Sequence, residues 1–475
     1  MLFNSLSYAL FLPIVFFAYW LMPHKYRWIV LLVTSYYFYM SWNPKYVFLI
    51  LLTTIISYTA AIMLEKYHSP KSRRLILTSV LAVCLGILFF FKYFNFFELS
   101  VISLLQMFTI KMHPQLLTLL LPVGISFYTF QTLSYVIDVY RGDIPAEHHF
   151  GIYATFISFF PQLVAGPIER TKNLLPQIKS EKVFDYESAS YGLKLMAWGF
   201  FKKLAIADVL AVYVDTGWSS LERLCGLDFL FIVFFFTIQI YCDFSGYSDI
   251  AIGTAHMLGI RLMTNFKSPY FSQSVKEFWS RWHISLSTWF RDYVYIPLGG
   301  NRCSEYRKNI NVMLTFLASG LWHGANWTFV VWGGIHGLMQ VIENLFAKKK
   351  SHSGKAQKIL ATLMVFAFCN FAWIFFRADS LRDAFYVIKR IVLIPGNMDS
   401  FLGSRLGLTR FKLAELGFAI GLLTIFDFIS LKQNIISLVS KQNLVVRWAI
   451  YLILIWSILI MMPTSGTTEF VYFQF

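Results

Sequence analysis

The sequence predicts an all-α polytopic membrane protein with about 11–13 helices that span the bilayer or re-enter it. Of its 475 residues, 57% are hydrophobic and 14% are charged, whereas soluble globular domains carry about 25% charged residues. Apolar stretches long enough to cross a bilayer recur along the whole chain. No polar stretch is long enough to form a soluble domain, so we predict one integral membrane domain over residues 1–475.

The first apolar segment, SLSYALFLPIVFFAYWLM, has no basic residue before it and no small-residue cleavage site after it. It is therefore predicted to be a retained span and not a signal peptide. The predicted spans cover residues 5–22, 28–42, 46–64, 75–97, 116–139, 150–167, 188–213, 228–250, 309–322, 326–346, 358–376, 411–430 and 447–462.

The net charge of +16 is concentrated in clusters between the apolar runs. Basic loops between spans are typical of the cytoplasmic side of a membrane protein, so membrane lipid is the expected surrounding and nucleic acid is not an expected partner. The HKYR motif after the first span places the N-terminus outside. The basic loop over 348–358 lies inside by the same rule, and the C-terminal tail, 463–475, then lies on the extracytoplasmic face.

The segment 261–308 is too polar to span a membrane and too aromatic for an ordinary loop. It alternates charged residues with tryptophan, phenylalanine and tyrosine. A re-entrant, cytosol-facing element would explain this pattern, because irregular backbone survives at membrane depth only inside protein or beside a wet cavity. An amphipathic helix lying on the membrane interface explains the pattern equally well.

Metal or disulfide chemistry is not expected. The five cysteines are scattered without paired spacing, and no histidine pair shares a helix with a nearby carboxylate. We expect no metal and no cofactor.

Three of the ten histidines, His283, His323 and His336, fall in or next to apolar sequence. His323 follows the apolar run MLTFLASG, lies beside Trp322 and has a glycine on either side within three residues. Ionisable groups at membrane depth are costly and often functional, and a neutral imidazole can act as a general base. A histidine that is hydrogen-bonded between helices would give the same pattern. The residue pattern alone does not separate His323 from His336.

Other polar residues allow two interpretations. Asp243, Ser245 and Asp249 lie close to an apolar run, where they could line a tunnel or satisfy buried backbone groups. Arg281, Arg291 and Lys276 could contact the phosphates of the donor, although a cytosolic loop would carry the same residues.

Several motifs together resemble the membrane-bound O-acyltransferase family, in its bacterial O-acetyltransferase branch. They are FWSRWHISLSTWFRDYVYIPLGGNR, GLWHGANWTFVVWGGIHG, PVGISFYTFQTLSYVIDVYRG, FFPQLVAGPIER, QIYCDFSGYSDIAIG, NFKSPY and FFRADS, together with the N-terminal MLFNSLSYALFLPIVFFAYWL. The resemblance covers essentially the whole chain in order.

The resemblance implies a helical shell around a thin central region that a tunnel crosses. It implies that His323 is catalytic and that His283 supports it. Donor or substrate binding is expected from Trp322, Arg281, Asn326, Phe470 and Phe475. The expected donor substrate is cytosolic acetyl-CoA, and the expected location is the bacterial inner membrane.

The chain ends in FVYFQF, in which Phe470, Tyr472 and Phe475 resemble a Phe-x-Tyr-x-x-Phe pattern. That pattern ends the small companion protein of the family's D-alanylation system, where its tyrosine is proposed to carry the acyl group. Gln474 stands where the companion commonly has an acidic residue. Tyr472 could therefore relay an acyl group. An aromatic tail packed on the outer rim of the protein is the alternative.

The sequence thus predicts an O-acyltransferase of class EC 2.3.1. We expect it to move acetyl groups toward a cell-envelope polysaccharide, peptidoglycan first and alginate or another exopolysaccharide next. An extracytoplasmic O-acetyltransferase partner protein would complete the transfer. The alternatives are a D-alanyl or other acyl transferase of the same family, a glycan-precursor transporter and a membrane scaffold without catalysis.

Overall fold

The computed structural model describes residues 1–110, 112–164, 166–346, 354–393, 406–463 and 470–471. These residues form helices, turns and extended chain, with no strand among them. The prediction of an all-α protein is therefore confirmed.

The α-helices are numbered in chain order. They are α1 Leu6–Leu21, α2 His24–Met40, α3 Val47–Lys66, α4 Pro70–Leu88, α5 Phe94–Met107, α6 Ile125–Arg141, α7 Phe150–Ser158, α8 Phe160–Leu163, α9 Thr171–Lys179, α10 Tyr186–Phe200 and α11 Asp208–Trp218. They continue with α12 Gly226–Met257, α13 Val275–Arg281, α14 Ile284–Phe290, α15 Glu305–His323, α16 Trp327–Leu345, α17 Lys355–Arg377, α18 Leu381–Leu393, α19 Arg410–Ser430, α20 Ile435–Ser440 and α21 Leu444–Met461. Short π-helical turns at Phe89–Tyr93, Phe201–Ala207 and Arg291–Tyr295 extend three of them.

Six helical stretches among the described residues are long and apolar enough to cross a membrane. They are Pro44–Lys66, Pro70–Met107, Gly226–Met257, Lys355–Arg377, Arg410–Ser430 and Leu444–Met461. The other predicted spans correspond to shorter, broken or more polar helices, and Leu6–Leu21 is a shorter apolar helix.

Two predicted spans are wrong in part. The span predicted at 116–139 begins as extended chain, and its helix starts only at Ile125, after Gly124 takes a left-handed conformation with φ of 75°. Pro122 also disfavours a helical residue before it, which explains the late start. The span at 150–167 divides into α7 and α8 at Phe159, whose extended ψ of 108° ends the first helix.

The described chain forms two compact units. Unit 1 comprises Met1–Gly192 and Ala251–Met263, and unit 2 comprises Leu193–Ile250 and Thr264–Phe475. Within unit 1, the hydroxyls of Tyr8 and Thr254 lie 2.6 Å apart and tie the first helix to the end of α12. Unit 2 has a core rich in tryptophan and phenylalanine. A single family domain over 1–475 stays a prediction.

The central hairpin of unit 2 is formed by α15 and α16, which run antiparallel. Gly320 faces the backbone of Phe329, and Gly333 faces the backbone of Phe316. A Cβ atom on either glycine would overlap the facing carbonyl oxygen, so the two helices approach as closely as backbone permits. This approach fixes the end of α15, which carries His323, against α16.

Substitution of Gly333 by alanine should destabilise the protein by about 1–3 kcal/mol, because the new methyl group forces the hairpin apart. The neighbouring Gly334→Ala is a matched control, since its Cβ would lie 3.6 Å from a methyl of Leu317, an ordinary contact. Thermal unfolding in detergent should show a lower Tm for Gly333→Ala only. Equal Tm values for the two variants would contradict the close approach.

Candidate functional site

His323 is the last residue of α15 and is buried, with 3% of its surface exposed. Its ring centroid lies 5.1 Å from that of Trp322, 5.0 Å from Trp332 and 5.5 Å from Phe376. All three rings meet the imidazole edge to face, at interplanar angles of 81°, 90° and 70°. An aromatic cage therefore fixes the imidazole in a nearly dry environment.

His283 lies in the turn that joins α13 to α14, and its side chain is fully buried. Its backbone is left-handed, with φ of 41°, a conformation that costs a residue with a Cβ about 1 kcal/mol or more. Such strain persists where surrounding structure holds it, often at functional sites. The ring centroid of His283 lies 6.4 Å from that of His323 and 6.1 Å from that of Trp322. The structure thus brings the two predicted histidines together.

Asn265 holds the strained turn in place, and sequence reasoning did not single it out. Its backbone oxygen accepts a hydrogen bond from the N–H of Ile284 at 2.9 Å. Its side-chain oxygen accepts from the hydroxyl of Ser285 at 2.7 Å, and its amide nitrogen donates to Ser248 at 3.2 Å. Its place in the NFKSPY motif was the only signal in the sequence.

Burial lowers the pKa of His283 to about 3, because the charged imidazolium would lose its hydration. His283 is therefore neutral near pH 7. A neutral imidazole keeps one N–H donor and one nitrogen acceptor.

His336 lies on α16 and has a different environment. Its Nδ1 accepts a hydrogen bond from Trp279 Nε1 at 3.2 Å, so its hydrogen is on Nε2. Trp332 separates it from His323, because the ring centroid of Trp332 lies 5.1 Å from His336 and 5.0 Å from His323. The Trp279 contact gives His336 a place in the packing of α13 on α16.

A cavity of about 510 Å³ is lined by residues that neighbour the two histidines in sequence, although neither histidine lines it. It is lined by Lys276, Trp279, Ser280, Ile284, Leu286, Ser287, Thr288, Phe290, Arg291, Tyr295, Asn301, Lys308, Val312, Thr315, Phe316, Ser319, Gln340 and Asn344. Ile284 directly follows His283. Ser319 precedes His323 by one helical turn on the same face, about 6 Å along the axis.

Three cations, Lys276, Arg291 and Lys308, line this cavity. Lys276 and Arg291 are two of the three residues that the sequence indicated as phosphate ligands, and the third, Arg281, is not part of the lining. Lys308 also pairs with Glu305, at 3.1 Å, and Arg291 with Asp292, at 2.7 Å. The cavity therefore combines an apolar wall with a basic, hydrogen-bonding part, a combination that suits an anionic ligand with an uncharged arm.

Two predicted binding residues make contacts outside the cavity lining. Arg281 pairs with Glu277 on its own helix, at 2.6 Å. Asn326 caps α16 by accepting the N–H of Thr328 at 3.1 Å, and it donates to the backbone oxygen of Asp379 at 2.8 Å. These contacts account for both residues structurally, and their roles in binding stay predictions.

A buried ionic cluster surrounds the π-helical turn that precedes α11. Lys203 Nζ lies 2.7 Å from a carboxylate oxygen of Asp208 and 2.7 Å from one of Asp243. Lys202 Nζ lies 2.7 Å from Asp249 and 2.8 Å from the hydroxyl of Ser245. The two buried lysines therefore form ion pairs or hydrogen bonds with Asp243, Ser245 and Asp249. The sequence analysis missed this pairing. Two lysines within an apolar run were the available signal.

The C-terminal tail reaches the interior of unit 2. Phe470 is fully buried, and its ring centroid lies 5.6 Å from Phe244 and 4.6 Å from Tyr247. The ring of Phe244 in turn lies 4.5 Å from that of His283. The two described residues of the tail, Phe470 and Val471, are therefore buried within unit 2. Tyr472 and Phe475 lie outside the described residues, so their predicted roles stay predictions.

Among the described residues, no group of three or more histidine, cysteine or carboxylate side chains is arranged to hold a metal ion. The arrangement instead offers acid–base chemistry. A caged imidazole could deprotonate a hydroxyl, and a second neutral imidazole could stabilise a developing oxyanion.

Comparison with known proteins reveals close relatives. The chain is 41% identical over 379 residues to the probable alginate O-acetylase AlgI of Pseudomonas aeruginosa, which covers 79% of this chain and 71% of that protein. It is 36% identical over 432 residues to the peptidoglycan O-acetyltransferase of Helicobacter pylori, covering 83% and 80%. It is 29% identical over 279 residues to the teichoic acid D-alanyltransferase of Streptococcus thermophilus, covering 55% and 67%.

The model of the MBOAT family, the membrane-bound O-acyltransferase family, matches residues 144–374. This range contains both His283 and His323, and the apolar helices described above fit a protein that crosses the membrane several times. Together with the relatives that the chain matches over most of their length, the match shows that the chain belongs to the membrane-bound O-acyltransferase family and is a multi-pass membrane acyltransferase.

Proposed function

We propose that the protein transfers acetyl groups from cytosolic acetyl-CoA across the bacterial inner membrane toward a cell-envelope polysaccharide. The observation that carries this proposal is the pair of buried imidazoles, His283 and His323, together with a 510 Å³ cavity whose lining includes Ile284 and Ser319. A cavity of this size falls within the range of small-molecule sites, about 300–1,000 Å³.

Acetyl-CoA fits the chemistry of the cavity. Its phosphates match the cations Lys276, Arg291 and Lys308, since charge-assisted hydrogen bonds to phosphate are stronger than neutral ones. Its uncharged pantetheine arm matches the wall that runs along α15 to Ser319. The thioester would then lie one helical turn from His323.

In the proposed reaction, His323 takes the proton of a hydroxyl while the oxygen of that hydroxyl attacks the thioester carbonyl carbon. The carbon–sulfur bond breaks, its electron pair leaves with sulfur, and the sulfur takes the proton from His323 to release the CoA thiol. His283, which is neutral, can donate its N–H to the oxyanion of the intermediate.

Tyr472 is the first acceptor in this proposal. Phenols have a pKa near 10, so the attack needs a base. The resulting aryl ester can pass its acetyl group to a sugar hydroxyl, which restores the phenol. Burial of Phe470 beside Phe244 supports access of the tail to the site.

The final acceptor is a polysaccharide, reached through an extracytoplasmic partner protein. We favour peptidoglycan, because the H. pylori peptidoglycan O-acetyltransferase aligns with 83% of this chain, and alginate stands next. The D-alanyl relative aligns with 55% of the chain, which favours acetyl over D-alanyl transfer.

Purified protein incubated with acetyl-CoA labelled in its acetyl group should carry label on Tyr472, detected by mass spectrometry of the C-terminal peptide. His323→Ala should abolish both label and thiol release, because the base is lost. Tyr472→Phe should abolish the label and leave slow, His323-dependent hydrolysis of the donor. Tyr451→Phe removes another phenol near the C-terminus and should keep full labelling.

Hydrolysis that depends on His323, with no label on Tyr472, would exclude the relay and keep the enzyme. Absence of donor turnover in folded protein, supplied with its partner, would exclude acetyl-CoA as the donor. A carrier-bound D-alanyl donor and glycan-precursor flux into vesicles would then be tested in turn.

Lys276→Ala and Arg291→Ala should each raise the KM for acetyl-CoA about tenfold with little change in kcat, because they remove charge contacts made equally in the ground and transition states. Arg307→Ala removes an exposed cation of α15 outside the cavity lining and is the matched control. Arg281→Ala tests the separate prediction for that residue. An unchanged KM in both cavity variants would place the donor elsewhere.

A further inference from the structure

The last described residues of the tail both contact α12. Val471 donates its backbone N–H to Asp243 Oδ2 at 2.7 Å. Phe470 packs on Phe244 and Tyr247, at centroid distances of 5.6 and 4.6 Å. Asp243 and Tyr247 are four residues apart, so they share one face of the helix. The tail is therefore held by a main-chain hydrogen bond and by a neighbouring ring contact. The hydrogen bond uses the backbone of Val471 and does not depend on its side chain.

The negative charge on Asp243 strengthens its hydrogen bond to the N–H of Val471. Lys203 Nζ faces two carboxylates, Asp208 and Asp243, whose side chains are 3% and 2% exposed. A buried carboxylate needs hydrogen-bond donors for both of its oxygens. Lys203 contacts Oδ1 of Asp243, and Oδ2 receives the N–H of the tail. The bond to the tail is thus charge-assisted and stronger than a neutral one.

Lys203 also contacts an aromatic residue that packs on the tail. Lys203 Nζ lies 5.9 Å from the ring centroid of Tyr247, whose ring packs on Phe470. On the other side of Phe470, the ring of Phe244 packs on His283. One ring therefore separates the docked tail from the strained histidine turn.

We propose that Asp243, oriented by Lys203, is a positioning residue that docks the chain's own C-terminal segment beside the histidine site through the backbone N–H of Val471. The catalytic role of this docking rests on the proposed function, because the docked tail would be held in place for acyl transfer. The docking itself is a property of the folded chain and is measurable without donor.

Hydrogen–deuterium exchange of the full-length protein, read by mass spectrometry, tests the docking. Removal of the acceptor in Asp243→Ala should speed exchange of the amide hydrogen in the C-terminal peptide about tenfold to a hundredfold, the range expected for a hydrogen bond to a charged group. Asp243→Asn keeps an oxygen acceptor without the charge and should give intermediate protection.

Val471→Pro is the second variant, because proline has no N–H and leaves the Lys203 ion pairs in place. It should fail to retain labelled acetyl on the tail, as Asp243→Ala does, while His323-dependent hydrolysis of acetyl-CoA continues in both. Val471→Ala is the matched control. It loses the same side-chain contacts but keeps the N–H, so its tail should still be labelled.

Exchange from the α15 and α16 peptides should be unchanged in Val471→Pro, which keeps the Lys203 ion pairs, and this separates docking from a general loss of stability. Equal exchange of the tail amide in wild type and Asp243→Ala would overturn the proposal. Normal acetyl labelling of the tail in Asp243→Ala, together with faster exchange throughout unit 2, would also overturn it. A tail that is protected by Asp243 in a protein without acetyl-CoA turnover would support docking and reject the proposed function.

Discussion

The burial of Lys203 is the constraint on which the arrangement of unit 2 depends. An ammonium whose side chain is 1% exposed cannot persist without close counter-charges, and Asp208 and Asp243 supply them at 2.7 Å. This pairing fixes the π-helical turn at Phe201–Ala207 against α12. It thereby sets the position of Phe244, which packs on His283, so a charge remote from the imidazoles helps to define their surroundings.

The second constraint is the close approach of α15 and α16 at Gly320 and Gly333. Because the helices meet through backbone, the end of α15 has little freedom, and His323 is caged by Trp322 and Trp332. His283 is held differently, by a strained turn clamped by Asn265. One imidazole is thus fixed by packing and the other by hydrogen bonds to its flanking backbone. Both mechanisms hold the two imidazoles in fixed orientations.

The membrane setting explains why so much polar structure is buried here. In a soluble protein, water could serve Asp243 or Asn265, whereas at membrane depth each polar group must find a partner within the protein. The partners come from distant parts of the chain. Val471 bonds to Asp243 across 228 residues. The hydrogen bonds that pair buried polar groups therefore also hold the candidate site together.

The sequence by itself determined the helical class and the positions of six spans, and it indicated His283 and His323 as candidate site residues, because apolar length and motif order are local properties of the chain. It could not predict the late start of α6 at Ile125, which depends on the left-handed Gly124. Only the tertiary structure decided that the two histidines are neighbours and that Phe470 is buried, because these contacts join residues far apart in sequence. The role of Asp243 was likewise ambiguous in the sequence. Its partners, Lys203 and the N–H of Val471, are brought to it only by folding.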